Sequence, residues 1–343
     1  MVGLYIFLIS IVGMGDAAKA MGKPFADLVL GSVPNPIAGL FAGMLATSLI
    51  QSSSATTSMV VALVASGTLD LGTAIPIIMG ANMGTTVTNT LVSLGHITRK
   101  AEFKRAFAAS TVDDVFNILA VLIIFPLQYY TNFLGIVSSS LATSLVGKEA
   151  VKFPSPVKIV TGPIVDVFAR HIPPIVLMIA FIILLFVGLK LMTDSMKVIM
   201  TGRLRRAIDT TFGNSKKSFA TGMVFTSIVQ SSSIVLSLAV PLAGAGLATT
   251  AMVFPYALGA NIGTTVTALI AALATGNTIA IAAALAHLFF NVIGTCIWYP
   301  LKKVPIGIAE RLADAVQAHG SYAIIYIIIA FFIIPAMMIT LLC

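Results

Sequence analysis

The sequence predicts an all-α polytopic membrane protein made of two inverted repeats, each with a re-entrant helical hairpin carrying a Gln-Ser-Ser-Ser motif. Three observations carry that expectation. Of 343 residues, 58% are hydrophobic and 9% charged, and the mean hydropathy is +1.04. Soluble domains are about 25% charged, so this chain cannot cover a water-facing surface. Two long apolar stretches, about 33–66 and 214–246, are interrupted midway by Ser, Thr, Gly and Gln. The polar interruptions also recur at a fixed spacing along the chain.

Taken in order, apolar segments fall at about 1–15, 72–94, 106–128, 172–193, 250–274, 279–300 and 321–342. At roughly 20 to 25 residues per span, the length allows about eight crossings plus shorter re-entrant pieces. Residues 1–15 precede Ala18-Lys19-Ala20, which resembles a signal cleavage site. No positive residue comes before them, however, and Asp16-x-x-Lys19 matches Asp194-x-x-Lys197 in the repeat, so a retained segment is expected. Polar breaks at membrane depth are tolerated only where the backbone lines a cavity or packs in protein; 33–66 and 214–246 therefore read as re-entrant hairpins. Region 131–170 reads as a long extracytoplasmic loop, with Pro154, Pro156 and Pro163 arguing against a spanning helix. The expected organisation is a first repeat over 1–130, that loop over 131–170, a second repeat over 171–300, and a cytoplasmic linker with a final transmembrane segment over 301–343.

Charge orients the chain. The net charge is +8, and stretches 95–105, 190–217 and 301–311 hold 14 of the 20 Lys and Arg residues. Basic loops face the cytoplasm, which puts the amino terminus inside, 131–170 outside, the first hairpin opening outward and the second inward. The basic residues lie in loops between apolar runs, which argues against a nucleic-acid surface. Cys296 and Cys343 are too few for a disulfide framework. The expected location is the plasma membrane, of bacterial inner-membrane type, with the protein crossing it several times.

The repeat is direct to read. Thr47-Ser-Leu-Ile-Gln51-Ser52-Ser53-Ser54 recurs as Thr226-Ser-Ile-Val-Gln230-Ser231-Ser232-Ser233 at an offset of 179. Gly80-Ala-Asn82-Met-Gly84-Thr85-Thr86-Val-Thr88 recurs as Gly259-Ala-Asn261-Ile-Gly263-Thr264-Thr265-Val-Thr267 at the same offset. Phe116-Asn117 and Phe290-Asn291 follow at an offset of 174. An odd number of crossings between equivalent segments inverts the halves, the architecture of many secondary transporters with a midplane site.

One membrane serine ordinarily bonds back to its own helix or ties helices together. Two Gln-Ser-Ser-Ser runs, each followed by the same Asn-Gly-Thr-Thr run, point beyond packing. A helix break exposes backbone N–H groups and the positive end of the helix dipole. Serine hydroxyls add donors, so two such tips would cradle an oxyanion. Side-chain oxygens of Gln51, Gln230, Asn82 and Asn261, with the Thr hydroxyls, suit a hard cation such as sodium. No Lys or Arg lies within 15 residues of either serine triplet except Lys216 and Lys217, which read as anchors at the hairpin entrance. A multivalent anion would then need co-bound cations, which argues for coupling. Gly84-Thr85-Thr86 and Gly263-Thr264-Thr265 lack the Lys and preceding strand of a nucleotide loop. Asp113 and Asp114 open an apolar run, where an ionisable residue suggests a functional role; their nearness to Lys104-Arg105 favours a plain interfacial ion pair with those two, while Asn117 and Asn291 read as packing groups. Asp113 sits on the repeat register opposite His287.

These motifs, with Ala101-Glu102-Phe103-Lys104-Arg105-Ala106-Phe107-Ala108 and Phe289-Phe290-Asn291 through Trp298-Tyr299-Pro300, resemble the type II sodium-dependent phosphate cotransporters over about 35–128 and 170–320. The resemblance implies sodium-coupled uptake of inorganic phosphate by alternating access, with sodium ions co-transported and no organic cofactor. It implies that Gln230, Ser231, Thr264 and Thr267 hold sodium, with Gln51, Ser52, Thr85 and Thr88 completing the contacts. It places Ser52, Ser53, Ser54, Ser231, Ser232 and Ser233, with Asn82 and Asn261, on phosphate. The animal members carry a large disulfide-bonded, glycosylated outer loop; here 131–170 has no Cys and the chain has no Asn-x-Ser/Thr sequon, so a compact microbial member is expected.

Three other readings compete. The same fold could carry sulfate or another oxyanion. An intramembrane serine hydrolase would use a triplet serine with His287 as base, but the serine motif is doubled and the membrane His is not. An ion channel fits the polar hairpins but not a site closed from both sides.

Overall fold

The computed structural model describes residues 35–65, 69–145, 156–169, 171–177, 212–275 and 277–342, with isolated positions elsewhere. Expectations about 1–15, most of 172–193, and the Asp16/Lys19 and Asp194/Lys197 match lie outside the described residues.

Both interrupted stretches form a helix, a two-residue break and a second helix. Helix α1 (Pro36–Ile50) starts at Asn35, whose side chain accepts from the Ala38 amide at 2.9 Å, with Pro at the first helical position; both are strong start signals. It ends at Gln51 in the left-handed region, φ 58°, where the Gln51 N–H bonds the Thr47 carbonyl. The chain resumes at once as α2 (Ser53–Ala65), with Ser52 Oγ accepting from the Ala55 amide at 3.1 Å. After α3 (Leu71–Thr85), α4 (Val87–Ser93), a 3-10 turn at Leu94–His96, α5 (Lys100–Thr131), α6 (Phe133–Leu145) and α7 (Pro156–Ala169), the pattern returns. Helix α8 (Ser215–Val229) starts at an Asn214 cap and ends at Gln230, φ 59°. Ser231 caps α9 (Ser232–Gly244) through the Ile234 amide. Next come α10 (Thr250–Thr275), α11 (Thr278–Trp298), α12 (Lys303–Ala318) and α13 (Ser321–Ile328), which continues through a π turn at Ile329–Ile333 into α14 (Ile334–Leu342).

Length separates two kinds of element. Lys100–Thr131, Thr250–Leu273, Thr278–Trp298 and Ser321–Leu342 are each long and apolar enough to cross a membrane. Helices α1, α2, α8 and α9 have 13 to 15 residues, short of the roughly 20 a crossing needs.

Small residues set the closest packing. Gly43, Gly80 and Gly84 bring α1 against α3 so tightly that a Cβ on each would meet the carbonyl oxygen of Ile77, Leu40 and Met44 respectively. Gly222, Gly259 and Gly263 do the same for α8 and α10 against Tyr256, Phe219 and Met223. Phe116, Phe254 and Phe290 are fully buried at the centre, with Phe116 edge-on to Phe254 at 6.3 Å. The alanine-rich α11 packs against α2, α3, α6 and α10. Large exposed apolar side chains such as Leu122, Leu127, Val176 and Ile328 suit a lipid-facing surface.

Four expectations change. The 131–170 region, expected as a loop without a spanning helix, holds two short helices, α6 and α7. Helix α6 absorbs its hydroxyls by back-bonding, as Ser140 to Ile136 and Thr143 to Ser139, and Pro156 sits where a helix start tolerates it. The segment expected over 72–94 is interrupted at Thr86, whereas 250–274 is one helix. The 301–311 linker begins an amphipathic helix, α12, whose Ala313 and Val316 pack with Phe103 and Phe107 of α5. Finally, Lys104 pairs with Asp314, and Arg105 donates from Nε and an Nη to the Gly244 carbonyl at 3.0 and 2.7 Å. Neither reaches Asp113, which lies nine residues after Lys104 and eight after Arg105, about 12–13 Å up a continuous helix.

Asp70 caps α3 by accepting from the Thr73 amide and hydroxyl at 3.0 and 2.7 Å. Partial burial pushes its carboxyl up, but these bonds outweigh that and hold it below the ordinary carboxylate range.

The Arg105 fork fixes the end of α9 to α5, leaving one prediction here. Arg105→Ala should lower stability by about 1–3 kcal/mol, and Arg105→Lys should recover part of that, as read by thermal unfolding in detergent. Equal melting of all three proteins would show the fork to be idle.

Candidate functional site

The two Gln-Ser-Ser-Ser breaks meet. Ser54 Oγ donates to the Gln230 carbonyl at 3.0 Å, across 176 residues of sequence. Helix α2 packs on α10 and α11, and α9 packs on α4, α5 and α10, so each short helix leans on the other half of the chain.

Backbone conformation makes the meeting productive. Gln51 and Gln230, with Asn132, are the non-glycine residues at positive φ among those described. A left-handed residue costs roughly 1–2 kcal/mol, and here it recurs at matching motif positions. Each ends one helix and turns the chain so that the next helix starts at the serines. The first-turn amides of α2 and α9 are thereby directed at the break, a ready anion site.

The predicted site residues divide by what their polar atoms already do. Ser52 and Ser231 spend a lone pair on capping. Ser53, Ser232 and Ser233 are buried, at 4%, 2% and 2% exposure, and their hydroxyls enter no hydrogen bond among the described residues. Thr85 and Thr264 donate back to Ala81 and Ala260 at 2.8 and 3.0 Å, which leaves their oxygen lone pairs open to a cation. Thr88 and Thr267 Oγ1 are buried with no partner. Thr47 and Thr226 Oγ1 share that state, and sequence reasoning did not single them out. The signal was present, because Thr47 and Thr226 open the matched runs. Ser48 and Ser227, next along, do back-bond to Met44 and Met223.

The asparagines face partners from the opposite half. Asn82 Oδ1 lies 3.2 Å from His287 Nε2 and 3.4 Å from Asn291 Nδ2. Asn261 Nδ2 donates to Asp113 Oδ1 at 2.7 Å, and Asn117 Nδ2 to the same oxygen at 3.2 Å. Asp114 Oδ2 accepts from Thr90 and Tyr326 at 3.1 and 3.0 Å. Asp113 and Asp114 are both 1% exposed and have no cationic side chain in contact among the described residues, so the expected interfacial ion pair is absent. Tyr326 was not anticipated, since nothing in its own segment marks it.

No triplet serine bonds His287 among the described residues. The arrangement instead offers anion donors at two helix starts and a set of oxygen atoms suited to a hard cation, with no fixed positive side chain in contact with them among the described residues.

Comparison with known proteins gives a consistent result. The family model described as Na+/Pi-cotransporter matches residues 6–147 and 184–309. The chain is similar to sodium-dependent phosphate transport protein 2B of Homo sapiens, 30% identical over 434 residues, covering 97% of this chain and 63% of the relative. It is similar to protein 2A of Mus musculus, 32% identical over 419 residues, covering 97% and 66%, and to protein 2A of Ovis aries, 30% identical over 421 residues, covering 97% and 66%. The chain thus spans less than two thirds of the length of these relatives. No solved structure matches it.

Proposed function

The chain belongs to the Na+/Pi-cotransporter family, and from that premise we propose that it is a secondary active transporter coupling sodium to the symport of inorganic phosphate into the cell. The observation that carries the reading is the meeting of the two motif breaks, Ser54 Oγ on the Gln230 carbonyl. It gathers two helix starts and both serine triplets in one place.

In this reading phosphate sits between the starts of α2 and α9, held by first-turn amides and by the hydroxyls of Ser53, Ser232 and Ser233. Sodium is held by Gln230, Ser231, Thr264 and Thr267, with Gln51, Ser52, Thr85 and Thr88 supplying the matching set in the first half. With no Lys or Arg at the serines among the described residues, the anion's charge is offset by sodium, so neither ion binds well alone. That mutual dependence is what couples the two fluxes. The two helix–break–helix units are read as re-entrant hairpins of inverted repeats, with basic loops and amino terminus in the cytoplasm and the membrane a bacterial inner membrane. Rocking of one half against the other would open the site first outward and then inward. No covalent step is involved, and His287 serves Asn82 rather than a serine, which disfavours a hydrolase.

The test is labelled phosphate uptake into proteoliposomes under an inward sodium gradient, against choline at equal ionic strength. Uptake that needs sodium and is blocked by cold phosphate but not sulfate is the expected result. Block by sulfate would move the substrate to another oxyanion, and uptake indifferent to sodium would remove the coupling. Ser53→Ala and Ser232→Ala should each raise the half-saturating phosphate concentration about tenfold, the loss of one hydrogen bond to a charged group. Wild-type phosphate affinity in both would defeat the cradle.

A further inference from the structure

Asn82 and Asn261 sit in nearly identical local sequence, so nothing in their own runs decides which end of each carboxamide faces where. Their partners across the fold do decide it. A carboxamide has one accepting end and one donating end. Opposite Asn82 stands His287, whose Nε2 approaches the Asn82 oxygen at 3.2 Å, joined by Asn291 Nδ2 at 3.4 Å. The Asn82 nitrogen is used as well, on the Ile78 carbonyl at 3.0 Å. Both ends of Asn82 are therefore spent inside the protein.

Opposite Asn261 stands Asp113, at the position matching His287 on the register that pairs Asn117 with Asn291. A carboxyl oxygen that already takes the Asn117 N–H at 3.2 Å claims the nitrogen end of Asn261 at 2.7 Å. The Asn261 oxygen is left out of every hydrogen bond among the described residues. On α10 it shares a face with Thr264, three residues on, whose hydroxyl oxygen keeps open lone pairs.

We infer that Asp113 and His287 are positioning residues that turn the two matching asparagines to opposite polarity, so that Asn261 offers a carbonyl oxygen to a bound sodium ion while Asn82 is an internal strut. A free carbonyl oxygen repels phosphate and attracts a cation, so Asn261 belongs with the sodium ligands rather than with the phosphate donors. The site is then unequal in its two halves although the motifs match, and the inequality comes from one acceptor and one donor placed outside those motifs. This inference rests on the sodium-coupled reading.

The experiment is sodium activation of phosphate uptake by the full chain in proteoliposomes. Asp113→His places a donor against Asn261 and should raise the half-saturating sodium concentration about tenfold, with half-saturation by phosphate at saturating sodium little changed. Asp113→Asn keeps an accepting oxygen and should retain the sodium affinity that Asp113→His loses. A second readout needs no transport, namely the rise in melting temperature when sodium replaces choline in detergent. Asn261→Ala should shrink that rise, while Asn82→Ala should lower the melting temperature itself and keep the rise. Unchanged sodium activation in Asp113→His, equal damage from Asp113→Asn, or equal loss of the sodium-induced rise in both alanine variants would overturn the inference. A wild-type protein indifferent to sodium in both assays would overturn the symport reading beneath it, which separates the two failures.

Discussion

Gly80→Ala and Gly259→Ala proteins should fail to accumulate as folded, monodisperse protein, although each change adds a single methyl group. On Gly80 that methyl would fall on the Leu40 carbonyl, and on Gly259 on the Phe219 carbonyl. A side chain in the way could rotate aside, but a carbonyl inside a helix cannot move without opening its own hydrogen bonds. Overpacking costs about 1–3 kcal/mol when neighbours can adjust, and more when they cannot, against a total stability of about 5–15 kcal/mol. The damage should exceed ordinary stability loss, because the same crossings seat Thr47 against Gly84 and Thr226 against Gly263, one turn before each break. Gly307→Ala is the control. Nothing lies within 4 Å of a Cβ there, and in a helix Ala is favoured over Gly by about 1 kcal/mol. Fluorescence-detected size exclusion reads all three variants. Normal yields of Gly80→Ala and Gly259→Ala would mean that the helices can separate at no cost, and that the close approach is not needed.

Much of this was readable in the sequence, for identifiable reasons. A polar run inside an apolar stretch has few physical outlets in a membrane, so the breaks at Gln51-Ser52 and Gln230-Ser231 could be placed to within a residue or two. The doubled motifs singled out the polar residues proposed for the site. Contacts between distant elements were not readable. Asp113 seemed paired with Lys104-Arg105 because they are near in sequence, yet on one continuous α5 that separation is a barrier. Its actual partner, Asn261, comes from the other half of the chain. The register of Asp113 with His287 did hold the clue, but only as an alignment, since the opposite polarity of their partners is a fact of side-chain geometry. Helices α6 and α7 were not anticipated because the prolines of 131–170 were weighed only against a spanning helix, and Pro156 lies at the start of a short one. Thr47 and Thr226 escaped notice because a threonine in a helix normally bonds back to the preceding turn, and only coordinates reveal that these two do not.

Gln230→Gly should make the protein more stable and a poorer sodium transporter. Gln230 is left-handed at φ 59°, a conformation that costs a residue with a Cβ roughly 1–2 kcal/mol and costs glycine nothing. Removing the strain should raise the melting temperature by a few degrees. The Ser54 hydrogen bond should survive, because it uses the Gln230 backbone carbonyl and not the side chain. What disappears is the carboxamide, and with it one oxygen of the proposed sodium site, so the half-saturating sodium concentration should rise about tenfold. Gln230→Ala keeps the strain and loses the carboxamide, and should therefore match the glycine variant in sodium dependence but the wild type in stability. The two substitutions separate backbone from side chain at one position. A glycine variant with wild-type sodium activation would make the carboxamide a bystander, and one that melts below wild type would make it a structural tie. Stability and sodium affinity moving in opposite directions is the result expected if strain is retained at Gln230 because its side chain holds the ion.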